Sequence, residues 1–141
     1  LNQETNFKIN KFFRIITKNK MKHNKTLNIK GRNFEIKNYY ERICRFYFKD
    51  LCDQNLGAED YLEIAKVSDF IVIENIPQFD EINSNQQHRF ITLIDIIYDK
   101  SIPIAVTASQ NLDKFISSQI LENQFKRTIS RLYELTSKEY K

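Results

Sequence analysis

The sequence predicts an α/β fold with buried, mostly parallel strands, and three observations carry that prediction. FIVI (residues 70–73) is four apolar residues in a row, as expected of a strand covered on both faces. IPIAVTA (102–108) is a second such run, opened by Pro103. Strand and helix patterns alternate from residue 43 onward, and that alternation calls for crossover connections and parallel pairing.

The elements follow in order. Residues 7–17, FKINKFFRIIT, place Ile9, Phe12, Phe13 and Ile16 at helical spacing, which predicts a short amphipathic helix. The polar stretch KNKMKHNK after it reads as a loop. In TLNIKGRNFEIK, Leu27 and Ile29 alternate with polar residues, Gly31 and Arg32 make a turn, and Phe34 and Ile36 resume the alternation, so a β-hairpin is expected. ICRFYF (43–48) reads as an aromatic-rich strand. A helix follows over AEDYLEIAKV, with Glu59 and Asp60 at its positive end. Beyond FIVI the chain turns at Pro77, and Ser84 is expected to cap a helix with Phe90, Leu93, Ile94 and Ile97 on one face. After the second apolar strand, helices are expected over 111–121 and 122–137.

A chain of 141 residues fits one domain with a substantial core. With 41% hydrophobic and 13% aromatic residues, nothing argues for global disorder. No apolar run approaches the ~18 residues of a membrane helix, and no signal-peptide core is present, so a cytoplasmic protein is expected. The leading leucine suggests a trimmed or incomplete chain, or an unusual start. Cys44, Cys52, His23 and His88 lack zinc-ligand spacing, so no metal site is expected; the two cysteines read as buried thiols of a reducing compartment, with a disulfide between them as the alternative.

The net charge of +4 is unevenly spread. Lys8, Lys11, Arg14, Lys18, Lys20, Lys22 and Lys25 face only Glu4 within residues 1–25, whereas the remainder is slightly acidic. The sequence therefore divides into a basic arm with a short helix (1–25) and an α/β region (26–141). Such an arm can touch nucleic acid or an anionic surface weakly and without sequence preference, although it lacks interleaved aromatics beyond Phe7, Phe12 and Phe13.

The chemistry is bounded by glycine. With only Gly31 and Gly57, neither GxxxxGK[ST] nor GxGxxG nor GxSxG can be written, so no phosphate cradle and no nucleophile elbow exist in these residues. No catalytic residue is assigned. Glu74, at the end of FIVI, occupies a strand end where an acid can hold a metal, but without a preceding Asp it reads as structural. Arg89, Arg127 and Arg131 are the candidate phosphate or sensor-like contacts. Arg127 and Arg131 lie four apart on one helical face, where like charges repel by ~0.2–0.5 kcal/mol, so each wants an anion. That anion is either a carboxylate of the same fold, such as Glu74 or Asp95, or a phosphate. Of the two, Arg127 is expected to be the structural clamp and Arg131 to face an open cleft.

IKGRNFEI, FYFKDLC, LGAEDYLEIAKVSDFIVIENIPQF, HRFITLIDIIYDKSIPIAVTAS and FKRTISRLYELTSKEY follow one another in an order and spacing that resembles the C-terminal half of the Afg-one-like/ZapE family of AAA+ (P-loop) ATPases. The resemblance covers about residues 26–141. It implies the C-terminal part of an AAA+ fold in which the Walker A lysine, Walker B acids, first sensor and arginine finger lie upstream, outside these residues. It implies ATP and Mg only when an N-terminal ATPase half is supplied, and none for the isolated chain. Partners implied are that half, intact family subunits and possible cell-division proteins. In AAA+ proteins an arginine on a late helix can act as a second sensor, which is the role the resemblance offers Arg127 or Arg131. The chain departs from the family pattern at His88-Arg89, where Arg-Arg is usual, and at Glu134-Leu135, where Glu-Met is usual. The alternatives are a free-standing interaction module using the basic arm, and an inactive remnant.

Overall fold

The computed structural model describes residues 3–136. Its centre is a five-stranded sheet in the sequential order β1 (Lys22–Ile29), β2 (Arg32–Tyr40), β3 (Ile43–Tyr47), β4 (Phe70–Ile76) and β5 (Ile104–Ala108). β1, β2 and β3 pair antiparallel, whereas β3, β4 and β5 pair parallel. The α/β class is as the sequence predicts, with the parallel half built from the apolar runs and the antiparallel half from the hairpin.

Alternation along the central strands divides the core in two. Cys44, Phe46, Ile71 and Ile73 point to one face, where they pack with residues of α2 (Phe48–Cys52), α3 (Ala58–Lys66), α4 (Ser84–Asp99) and α5 (Glu122–Thr136). Ile43, Phe70 and Val72 point to the other, where α1 (Gln3–Ile16) supplies Ile9, Phe13 and Ile16. β4 is buried at every position but Asn75, which is why its sequence shows no polar alternation. Phe90, Leu93, Ile94 and Ile97 are each about 1% exposed or less, so the stripe expected on α4 is the buried one; of the stripe expected on α1, Ile9, Phe13 and Ile16 are buried and Phe12 is half-buried.

Several expectations need correction. The hairpin turn is Lys30-Gly31, with φ of 50° and 80°, and Arg32 already pairs with Ile29. Two successive positive φ values define the two-residue turn whose twist matches the flanking strands. The polar stretch after α1 is not wholly a loop. Lys22 and His23 pair with Tyr40 and Tyr39, because β2 is long enough to template them and an edge strand tolerates lysines. The division at residue 25 consequently falls inside β1, and α1 ahead of it is seated on the sheet. Phe48 begins α2 rather than ending β3. Asn83, not Ser84, occupies the cap position of α4.

The helix expected over 111–121 is instead two short 3₁₀ turns, Leu112–Lys114 and Gln119–Leu121. The fully buried Gln87 accounts for the difference. Its Oε1 accepts from the backbone N–H and the hydroxyl of Ser118 at 3.2 and 2.8 Å, and its Nε2 donates to Ser117 Oγ at 2.6 Å. These side-chain bonds compete with a continuous helix. The expected helix over 122–137 is α5, and position 137 lies outside the described residues.

One further contact ties the hairpin to the helical layer. Asp60, in the first turn of α3, accepts from the Gly57 backbone N–H at 2.8 Å and from Arg32 Nη2 at 2.7 Å. It serves at once as helix cap and as anchor for β2.

A Cβ placed on Gly31 would meet nothing within 4 Å, so the residue is required only by its backbone conformation. Replacing Gly31 with Ala is expected to cost ~1–2 kcal/mol in urea unfolding, all of it from the left-handed φ.

Candidate functional site

Open parallel sheets bind ligands beyond the carboxyl ends of their strands. Here Tyr47 of β3 lies opposite Glu74 of β4, and β5 ends at Thr107 and Ala108. The β4–β5 register shifts between Ile73 and Ile76. Within that irregularity Asn75 adopts a φ of 65° and donates its backbone N–H to Thr107 Oγ1 at 2.9 Å. Asn tolerates this left-handed conformation better than most residues. The bulge brings Asn75 to a cleft of about 600 Å³, together with Tyr47, Lys49, Asp53, Asn83 and Gln86. Gln86 Nε2 donates to Asp53 Oδ1 at 3.0 Å across its wall.

Glu74 does not open into that cleft as a free acid. Arg45 on β3 grips it with two parallel bonds, Nε to Oε2 at 2.7 Å and Nη2 to Oε1 at 2.8 Å. The side chains are 17% and 6% exposed respectively. Arg45 also donates to Asn10 Oδ1 of α1, and its guanidinium lies 5.0 Å from the centre of the Phe13 ring. The hydrogen bond to Glu74 raises the Arg45 pKa against the opposing pull of desolvation. With both carboxylate oxygens occupied, Glu74 has the structural part that its sequence context suggests. Among the described residues no group of three His, Cys, Asp or Glu side chains could hold a metal ion.

The cysteines offer no nucleophile. Cys44 and Cys52 are buried free thiols, and burial pushes them up to about 11 and about 12. Cys44 Sγ instead lies 3.0 Å from Ser68 Oγ, inside the core.

Each candidate arginine meets an oxygen of its own fold. Arg89 Nη1 donates to the Cys52 carbonyl at 3.0 Å, satisfying a backbone acceptor at the C-terminus of α2. Arg127 and Arg131 converge on Asp95 of α4: Arg127 Nη2 lies 3.4 Å from Oδ2, and Arg131 Nη1 bonds Oδ1. Arg131 also lies over the Tyr98 ring at 4.7 Å, and Tyr98 donates its hydroxyl to Glu134 at 2.8 Å. Arg131 is 25% exposed against 56% for Arg127. The better-seated clamp is therefore Arg131, the reverse of the order expected from sequence. The three arginines thus serve two separate contacts, α2 to α4 and α4 to α5.

The family model described as AFG1-like ATPase matches residues 1–141. The chain belongs to the AFG1-like ATPase family. Similar proteins include lactation elevated protein 1 homolog B of Danio rerio, 34% identical over 79% of this chain and 22% of that protein. Cell division protein ZapE of Escherichia coli strain K12 is 24% identical over 99% of this chain and 37% of its own length. The chain thus spans well under half of these curated relatives. No solved structure gives a significant match.

In this AFG1-like chain the sequence points to Glu74, Asp95 and the arginines of α4 and α5, and not to Arg45 or Asn10. Arg45 sits in the aromatic run ICRFYF, and a lone cation among apolar and aromatic residues is the signal the sequence offers. Asn10 carried none, because its role depends on α1 crossing the sheet.

Replacing Arg45 with Met strands Glu74 as a buried, unpaired acid and is expected to cost ~3–5 kcal/mol in urea unfolding. Adding Glu74→Leu to that variant should recover most of the loss, since neither charge is then buried alone. At the α4–α5 contact, Arg131→Met should lower stability by ~1–3 kcal/mol. Arg127→Met, at an exposed and longer contact, should cost only ~0–1 kcal/mol by the same measurement.

Proposed function

We propose that this chain is the C-terminal portion of an AAA+ ATPase of the AFG1-like family, and that by itself it neither binds nor hydrolyses ATP. The single observation that carries the second half is the glycine count. Gly31 turns the hairpin and Gly57 precedes α3, so neither belongs to a loop whose backbone N–H groups converge on phosphates. The side chains support the same reading. A triphosphate with its magnesium needs free cations and a free acid, whereas Arg89, Arg127, Arg131 and Glu74 each already have a partner in the fold.

In this reading ATP and Mg are bound by an N-terminal ATPase half. The portion of ZapE that this chain does not match is ample to contain one. The present residues contribute a packed α/β body against which that half works, in the cytoplasm. Partners are that half or intact family subunits. Cell-division proteins are the further candidates, because one relative is named for cell division. A sensor-like role for Arg131 in the assembled protein would require it to leave Asp95.

Calorimetric titration of the purified chain with ATP and magnesium at physiological ionic strength tests the proposal. No saturable heat is expected. A micromolar dissociation constant, or ATP turnover above buffer, would overturn it.

A further inference from the structure

The outward side of α1 is the least explained surface of the molecule. At 3.6 residues per turn, Phe7, Lys11, Arg14 and Ile15 fall within about 100° of arc. All four are exposed, Phe7 by 63% and Ile15 by 62%. Lys8 flanks them, and the turn after the helix adds exposed Lys18 and Met21, the latter 69% exposed, just ahead of Lys22 in β1. The acids nearby are few. Glu4 pairs with Lys8 at 3.3 Å, and Glu41 accepts from the Met21 backbone N–H.

We propose that this face docks on an anionic lipid bilayer. Large apolar side chains set among lysines match a surface that offers anionic headgroups above an acyl boundary. The opposite side of α1 is fixed: Ile9, Phe13 and Ile16 are buried against Ile43, Phe70 and Val72, and Asn10 is held by Arg45. The helix therefore cannot roll its main apolar stripe into lipid. It presents a preformed patch, from which only Phe7 and Ile15 enter the boundary while Lys8, Lys11 and Arg14 meet headgroups. Nucleic acid fits less well. Ile15 and Met21 offer bases no stacking face, and all but one of the exposed cations are lysines rather than the planar arginines that grip phosphates in pairs. The inference rests on α1 and its following turn, and it stands whether or not the chain binds ATP.

Co-sedimentation of the full chain with vesicles tests it. The protein is expected to pellet with equimolar phosphatidylserine and phosphatidylcholine and to stay in solution with phosphatidylcholine alone. Lys11→Gln with Arg14→Gln should weaken partitioning roughly 25-fold, at about fivefold for each charge lost near the surface. Phe7→Ser with Ile15→Ser keeps every charge and should still lower partitioning several-fold. Because all four side chains are exposed, the urea midpoints of both variants should match the parent, which separates lost docking from lost folding. Failure to pellet with the anionic vesicles, or equal pelleting with both vesicle types, would overturn the proposal. So would unchanged partitioning in the Phe7/Ile15 variant. Tighter binding of a mixed-sequence oligonucleotide than of anionic vesicles would assign the face to nucleic acid instead.

Discussion

The Arg45–Glu74 ion pair fixes the point at which β3, β4 and α1 meet. Parallel neighbours cannot be joined by a tight turn, so their register must be held by contacts formed after the chain has travelled through a crossover. Between β3 and β4 that crossover carries α2 and α3. A bidentate bond between side chains on adjacent strands tolerates little slippage, and a one-residue slip would place Arg45 and Glu74 on opposite faces. The same guanidinium reaches Asn10 and lies beside Phe13, so the angle at which α1 crosses the sheet is set by the group that sets the strand register.

Such a pair is an instrument of specificity more than of stability. Desolvating two charges offsets much of what their attraction returns, whereas the apolar contacts around them are cumulative. The other face of the sheet has the same division of labour. Ile64, Phe90, Leu93 and Leu132 supply the buried apolar mass, while Asp60 and Asp95 determine which elements adjoin. Asp60 links α3 to the hairpin through Arg32, and Asp95 links α4 to α5 through Arg127 and Arg131. Arg89 closes the series by binding the end of α2 from α4.

This economy has a functional consequence for an AFG1-like chain. The positions at which a nucleotide-handling α/β sheet presents its acids and cations are occupied here by contacts within the body. Polar side chains at the strand ends line the cleft beside Asn75, with Lys49 and amide groups in its wall, and a second hollow past β5, with Ser109, Gln110 and Asn111. On the outside of α1, Lys8, Lys11 and Arg14 stand exposed on the face opposite the one packed on the sheet.

Much of the fold was legible in the residues, for reasons that are local. FIVI and IPIAVTA are apolar because they are covered from both sides, and the stripe from Phe90 to Ile97 repeats at the period of a helix. Glycine scarcity alone removed the phosphate-binding loops. Tertiary structure decided the rest. Lysines at 22 and 25 belong to a strand because β2 extends alongside them, and residues 111–121 do not form one helix because the distant Gln87 claims Ser117 and Ser118. Arg131 rather than Arg127 is the seated clamp because of how α5 lies on α4. The sequence determined which segments are strands and helices and which side of each is apolar, since these follow from spacing along the chain. Which charge meets which depended on folding, because Arg45 and Glu74, or Asp95 and Arg131, become neighbours only when segments about thirty residues apart are packed together.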